Sequence, residues 1–226
     1  WMIRISHEMR LLRESLYLGV SVFDRFVALY TMGTKGKYKD EKYELDLELI
    51  CLSSLFIGSK YEELKFPTVR DFMMISKFKY SKEDFFKAET EILRTLGWRI
   101  NYYHPMNFFD YFVMGLEIEK EGYHFAQFLL EVMFYTGVCK RYKCSLLAGG
   151  MVYLVLKIFK RRSWDLELTQ RTLYTKKQVM NIGEEMFEVL EEFWKSEDPG
   201  NAVLEKYSEI FYSKIAKMRI NQRLRD

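Results

Sequence analysis

The sequence predicts an all-α protein with two similar helical halves and a C-terminal helical tail. Hydrophobic residues make up 49% and aromatic residues 17% of its 226 residues, which is enough for a dense core. Only 3 prolines and 12 glycines interrupt the chain, so long helices fit it better than a β fold with many turns. In addition, the order of helical patterns in the first half recurs in the second.

The first half contains an amphipathic helix and then an almost wholly apolar one. From Arg13 to Tyr30, hydrophobic residues form a broad face of a helix. The polar stretch from Thr31 to Glu44 contains glycines and predicts a loop. The helix from Leu45 to Glu63 is apolar in nearly every direction, so we expect a central helix surrounded by others.

Two more helices complete the first half. Pro67 suits the start of a short helix, because its missing N–H is not needed there. Ser81, with Asp84 three residues later, is the expected N-cap of the next helix. Gly97 should end that helix, and the segment from Trp98 to Pro105 predicts an extended linker because proline disfavours helix before it.

Five more helical segments follow the linker. The last helix of the second half opens with Tyr174-Thr175-Lys176, as Tyr80-Ser81-Lys82 opens the last helix of the first half. This correspondence predicts domains at 1–103 and 104–198, and a tail at 199–226. The segments are "NFFDYFVMG", "FAQFLLEVMFYTG", "CSLLAGGMVYLVLKIFKRR", "WDLELTQRTL" and "KKQVMNIGEEMFEVLEEFW".

Charge and cysteine content restrict the function classes. The formal net charge of +3 is too small to predict a nucleic-acid partner by itself. The stretch 184–198 is acidic, and the basic C-terminal end is interpreted as solvated. Three cysteines without a CxxC pair favour a reducing compartment and no disulfides: Cys51, Cys139 and Cys144.

The sequence predicts neither a membrane span nor an enzyme. The long apolar segment from Cys144 to Phe159 contains Lys157 and is shorter than the roughly 20 residues that cross a bilayer. His7-Glu8 begins like the zinc motif HExxH, but Leu11 occupies the position of the second histidine. The chain has no P-loop, GxSxG or dinucleotide-binding glycine pattern, so no catalytic residue, metal or cofactor is predicted. The glycine pair in "LLAGGMV" favours close helix contact.

Specific motifs cover nearly all of the chain. The first half contains "LYLGVSVFDRFV", "LELICLSSLFIGSKYEELKFPTVRDFMMIS" and "YSKEDFFKAETEILRTLGWRINYYHPMNFFDYF". The second half contains "LAGGMVYLVLKI", Trp164, "LYTKKQV" and "KYSEIFYSKIAKM". In combination they resemble the cyclins, and the second half is most similar to mitotic, B-type cyclins. The resemblance implies two tandem five-helix cyclin boxes, the first helix being truncated here.

The resemblance also implies a partner, a cyclin-dependent protein kinase that the chain binds and activates. In the family, a lysine and a glutamate that correspond to Lys60 and Glu89 form a pair at the kinase interface. Tyr61, Leu93, Trp98 and Ile100 would be apolar anchors around them. Two alternatives remain: Lys60 and Glu89 could be a surface ion pair of at most about 1 kcal/mol, and Trp98 could be a core aromatic.

A second surface implied by the family recruits substrates or inhibitors that carry an Arg-x-Leu motif. It corresponds here to Trp1, Arg4, Leu47 and Glu48. Arg4 stands where the family often has an acidic residue, and its positive charge predicts weak or altered recruitment. Asp24 and Arg25 are expected to brace helices inside the first box.

Other function classes fit less well. A cyclin-fold transcription adaptor that binds DNA is the alternative, but the small net charge disfavours direct nucleic-acid binding. A catalytic helical protein would need a site that the motifs do not supply. We expect a protein of the nucleus and cytoplasm.

Overall fold

A computed structural model describes residues 1–33, 46–160, 163–196 and 200–217, with the backbone alone at Lys160. Within these ranges the secondary structure is entirely helical, as predicted. The chain divides into two compact units, Trp1–Tyr102 and Tyr103–Asp226. Most of the predicted 31–44 loop, part of the acidic stretch and the basic residues after 217 lie outside the described ranges.

In its described residues the first unit has five helices, and α3 lies at their centre, packed against each of the other four. Eight consecutive buried residues from Leu52 to Ser59, and Ile50 before them, give α3 its nearly uniform burial. This confirms the predicted central helix. The helices are α1 (Met2–Glu8), α2 (Arg13–Gly33), α3 (Leu47–Glu62), α4 (Val69–Ile75) and α5 (Lys82–Thr95).

Side-chain caps set where these helices begin. Asp46 accepts hydrogen bonds from the first-turn amides of α3, and Asp71 accepts from the Thr68 N–H before α4. Ser81 and Asp84 form the expected reciprocal capping box of α5: the Asp84 N–H donates to Ser81, and the Ser81 N–H to Asp84. The start of α5 was therefore predicted correctly. The helices α3 and α4 begin two residues later than the predicted Leu45 and Pro67, and Pro67 lies just before the Thr68 cap.

Two further boundaries differ from the prediction. The loop expected from Thr31 begins later, because α2 continues through Gly33. The Thr31 hydroxyl donates to the carbonyls of Val27 and Ala28, so this polar residue satisfies itself within the helix. The linker expected from Trp98 also begins later: the Trp98 N–H donates to the Leu93 carbonyl, and Trp98 belongs to the turn that ends α5.

The part of the second unit that the structure describes also contains five helices, followed by a short sixth one, α11. The bounds are α6 (Pro105–Phe112), α7 (Lys120–Thr136), α8 (Cys144–Val155), α9 (Leu166–Thr172), α10 (Lys176–Lys195) and α11 (Ala202–Tyr207). A π-helical turn, Leu156–Lys160, extends α8, and Thr175 caps α10. The caps of α5 and α10 therefore correspond, as the repeated Tyr-(Ser/Thr)-Lys motifs suggest.

The glycine pair of α8 lets α10 approach closely, as predicted. A Cβ at Gly149 would lie 2.9 Å from Val179, and a Cβ at Gly150 would lie 2.8 Å from Ile182. Both distances are shorter than normal carbon contacts. The two glycines therefore have a packing role.

Candidate functional site

The end of α3 carries Lys60, and its ammonium forms an ion pair with the Glu89 carboxylate on α5. The two side chains are 30% and 15% exposed. The Lys60 Nζ also lies 4.3 Å from the centre of the Phe56 ring, a cation–π contact. Two opposite charges 29 positions apart in the sequence thus lie together on a partly exposed edge of the first unit.

The four predicted apolar anchors lie on the same helices as this pair or directly after α5. Leu93 and Ile100 are partly buried against the core of the first unit. Tyr61 is exposed, and Trp98 is 67% exposed, so Trp98 is not a core aromatic. Trp98 has a φ of +62°, a left-handed conformation that is uncommon for a bulky residue. We call the six residues Lys60, Tyr61, Glu89, Leu93, Trp98 and Ile100 the docking edge.

Two hydrogen-bonded contacts hold the segment that carries Trp98 and Ile100. The Arg25 guanidinium on α2 donates to the backbone carbonyls of Arg99 and Asn101. The Tyr61 hydroxyl donates to the Asn101 side-chain oxygen at 2.6 Å. Burial lowers the pKa of Arg25 from its ordinary value, yet an arginine stays charged in a protein. Arg25 therefore joins α2 to the chain after α5.

Asp24, the neighbour of Arg25, is half-buried on α2. Its charge adds to the raised pKa of the Cys51 thiol on α3. Burial is the larger cause, and the Cys51 pKa is about 11. A thiol with such a pKa stays protonated and is a poor nucleophile.

The sequence reasoning missed two residues at the docking edge. Phe86 lies one turn before Glu89 on α5 and is exposed. Helical spacing could have identified Phe86, because it lies three residues before Glu89 and seven before Leu93 on the same helix. Asn101 had no local signal, since its role depends on contacts with Arg25 and Tyr61.

The residues of the expected recruitment surface lie on α1 and on the start of α3, two helices that pack together. Trp1, Arg4 and Leu47 are exposed. Glu48 accepts from Lys79 Nζ at 2.6 Å and from the Tyr80 hydroxyl at 3.2 Å. Glu48 is therefore already engaged within the unit.

Asp46, the N-cap of α3, belongs to the same polar cluster. It accepts from the Tyr80 hydroxyl at 2.7 Å and lies 3.6 Å from Lys79 Nζ. Burial and the neighbouring carboxylates raise the pKa of Tyr80 to about 12, against the effect of Lys79. Tyr80 therefore remains a neutral hydrogen-bond donor at physiological pH.

The described ranges contain neither a cluster of metal-binding side chains nor a membrane-spanning helix. There, no group of three or more histidine, cysteine, aspartate or glutamate side chains is placed to hold a metal ion. None of the helices in that part of the chain is both long and apolar enough to cross a membrane.

Two family models match the chain in succession. The model for the cyclin N-terminal domain matches residues 1–101, and the model for the cyclin C-terminal domain matches residues 103–221. The chain belongs to the cyclin family. This cyclin resembles G2/mitotic-specific cyclins in sequence, as its second-half motifs predicted.

Three relatives illustrate the similarity. G2/mitotic-specific cyclin cdc13 of Schizosaccharomyces pombe is 28% identical over 84% of this cyclin and 38% of the relative. Human G2/mitotic-specific cyclin-B2 is 26% identical over 82% of this cyclin and 44% of the relative. Cyclin-A3-3 of Arabidopsis thaliana is 29% identical over 99% and 67%, respectively. The chain therefore spans less than half the length of the first two.

Two solved structures share the cyclin fold. A viral cyclin from herpesvirus saimiri has a TM-score of 0.65 at 18% identity, and the match covers 84% of this cyclin and 82% of that chain. A chain in the structure of the CAK complex from Chaetomium thermophilum bound to ATP-gamma-S has a TM-score of 0.54 at 16% identity, covering 99% and 68%. At these identities the likeness concerns the fold.

Proposed function

We propose that this cyclin is a regulatory subunit that binds and activates a cyclin-dependent protein kinase in mitotic control. The observation that carries the proposal is the Lys60–Glu89 pair on a partly exposed edge. Tyr61 follows Lys60 in α3 and Trp98 lies in the turn that ends α5, and both rings are exposed. Aromatic anchors around charged groups are typical of interface hot spots, and the charges would fix orientation through hydrogen bonds to the kinase backbone.

Activation would be a shift of a kinase equilibrium, and such a shift needs no catalytic group from the cyclin. By binding one position of the kinase's regulatory helix, the docking edge would favour the state in which the kinase's own Lys–Glu pair forms. Moving that equilibrium from 1:99 to 99:1 needs a preference of about 5.5 kcal/mol. An interface of ordinary size can provide such a preference.

The mitotic role and the location rest on the relatives. Several are named G2/mitotic-specific cyclins, and a protein with that role would act in the nucleus and the cytoplasm. The exposed Trp1 and Leu47 would form part of a second, substrate-recruiting surface.

The first prediction concerns the docking edge. Replacing Lys60 and Glu89 together by alanine should weaken capture of a cyclin-dependent kinase and reduce its activation at least about tenfold, since charge-assisted hydrogen bonds to the kinase are lost. The measurement is a pulldown with a purified cyclin-dependent kinase, followed by a phosphorylation assay over a range of cyclin concentrations.

A matched control comes from the second unit, where Arg141 and Glu185 form an ion pair of 2.9 Å. Arg141→Ala/Glu185→Ala removes a comparable pair and should leave activation unchanged. If the Lys60→Ala/Glu89→Ala variant activates as well as the wild type, the proposed roles of both residues are wrong. Binding of duplex DNA in place of a kinase would support the adaptor function instead.

The second prediction concerns recruitment. Arg4 should repel the arginine of an Arg-x-Leu peptide, and Glu48 is already paired with Lys79. Arg4→Glu should therefore tighten binding of such a peptide by about three- to tenfold, an effect that salt should reduce. Fluorescence anisotropy at two salt concentrations tests this, with Arg4→Gln as the neutral comparison. Equal affinity for wild type and Arg4→Glu would contradict it.

A further inference from the structure

Glu63, the residue that follows α3, joins the end of that helix to the start of α2. Its Oε1 accepts a hydrogen bond from the Leu12 N–H at 2.6 Å and another from the Ser15 hydroxyl at 2.7 Å. Its own N–H donates to the Ser59 carbonyl and closes the last turn of α3. One residue thus connects two helix ends that lie 48 to 51 positions apart in the sequence.

These contacts replace a local cap that the sequence of α2 lacks. Leu12 precedes α2, and its carbonyl accepts from the Leu16 N–H, but a leucine side chain cannot accept from the first-turn amides. In a capping box, the carboxylate of the third helical residue accepts from the N-cap N–H. Here the carboxylate of Glu63, just after α3, accepts from the Leu12 N–H. This is the N-terminal end of α2, where the helix dipole favours a negative charge.

The contact lies where α2 and α3 approach most tightly. A Cβ at Gly58 would lie 2.5 Å from the Ser15 carbonyl oxygen and 3.1 Å from the Gly19 nitrogen. Gly58 therefore fixes the separation of the two helices on one side of Lys60, and Glu63 ties them together on the other. Lys60 and Tyr61 lie between these two contacts.

We infer that Glu63 is a positioning residue for kinase docking. By capping α2 from the end of α3, it holds Lys60 and Tyr61 in their binding geometry before a partner arrives. Such preorganisation raises affinity because the partner need not order the helix end. The expected effect on kinase affinity rests on the proposed function. Whether Glu63 holds the end of α3 in place can be measured on the cyclin alone.

The test compares Glu63→Ala with Glu63→Gln in the full chain. Amide hydrogen exchange is measured for residues 59–64, together with affinity for a cyclin-dependent kinase. In Glu63→Ala we expect exchange at 59–64 to accelerate about tenfold relative to the rest of α3 and kinase affinity to fall about tenfold. Glu63→Gln keeps an acceptor oxygen and should restore most of both.

A control separates positioning from general stability. Thr68→Ala removes a cap from α4, which carries none of the docking-edge residues, and should lower stability with unchanged kinase affinity. If Glu63→Ala fails to fold, Ser15→Ala removes one of the two side-chain contacts and should shift both readouts less, in the same direction.

The outcomes distinguish the two proposals. Native exchange at 59–64 in a folded Glu63→Ala variant would overturn the inference. So would wild-type kinase affinity of that variant, provided that Lys60→Ala/Glu89→Ala weakens binding. If neither Lys60→Ala/Glu89→Ala nor Glu63→Ala changes kinase binding, the docking-edge part of the proposed function is wrong, and the exchange rates still decide whether Glu63 fixes the end of α3.

Discussion

The Lys60 ammonium meets both a carboxylate and an aromatic ring, and this combination explains how a charge can end an otherwise buried helix. Glu89 neutralises it, while the Phe56 ring faces it at 4.3 Å. An ion pair with this exposure contributes about 0–1 kcal/mol to folding. The pair therefore contributes little to the stability of the fold, and its main effect is to position two charged groups on the docking edge.

Another charged pair, Lys206 and Glu131 in the second unit, is buried, whereas Lys60 and Glu89 are partly exposed. The side chains of Lys206 and Glu131 are 7% and 0% exposed, with 2.6 Å between Nζ and Oε1. The Tyr207 hydroxyl donates to the same oxygen at 2.8 Å. These contacts attach α11 to α7 inside the unit.

Removing one partner of this buried pair should be costly. Lys206→Met leaves the Glu131 carboxylate buried without its ammonium, and we expect the free energy of unfolding to fall by about 3–5 kcal/mol. Chemical denaturation monitored by circular dichroism measures this. The double variant Lys206→Met/Glu131→Gln removes both charges and should recover part of the loss. A loss below about 1 kcal/mol in the single variant would show that water reaches the carboxylate.

The pairing of α2 with α3 is the element-level feature that positions the docking edge. Gly19 and Gly58 allow the two backbones to approach: a Cβ at Gly19 would lie 3.2 Å from the Leu55 Cα. Ser15, on the same face of α2, is fully buried. This close contact between α2 and α3 lies two residues before Lys60, on the same helix.

A methyl group at this contact should separate the helices. Gly58→Ala places a Cβ 2.5 Å from the Ser15 carbonyl, and a backbone atom cannot rotate away as a side chain can. We expect a loss of about 1–3 kcal/mol in the free energy of unfolding, even though alanine favours helix. Urea denaturation tests this. Gly200→Ala, where a Cβ meets nothing within 4 Å, is the control and should change stability by at most about 0.5 kcal/mol. Equal stability of both variants would mean that α2 and α3 can move apart freely.

Helix ends illustrate how far local sequence predicts this fold. Ser81 and Asp84 predicted the start of α5 because a capping box involves residues only three positions apart. The polar Thr31 led to a predicted loop start that is too early. Thr31 still belongs to α2, because its hydroxyl donates to the carbonyls of Val27 and Ala28 within the helix. A polar residue near a helix end is compatible with either outcome, and local sequence does not separate them.

At the scale of the whole molecule, two compact units correspond to two successive cyclin domains. Each has five helices in the described ranges, with a central apolar helix, α3 or α8, that contains small residues. The recurrence of segment order predicted this duplication, although the two halves share little sequence. The order survives because each unit must bury one apolar helix among four others.

Composition, periodicity and caps were sufficient for an all-helical chain with two similar halves, because each of those signals involves residues within a few positions of one another. The pairing of Lys60 with Glu89 was predicted through family resemblance, since nothing local links two residues 29 positions apart. The roles of Asn101, of Glu63 and of the buried Lys206–Glu131 pair emerged only from the folded chain. Each depends on helices that meet through packing, which brings together Lys206 and Glu131, 75 positions apart in the sequence.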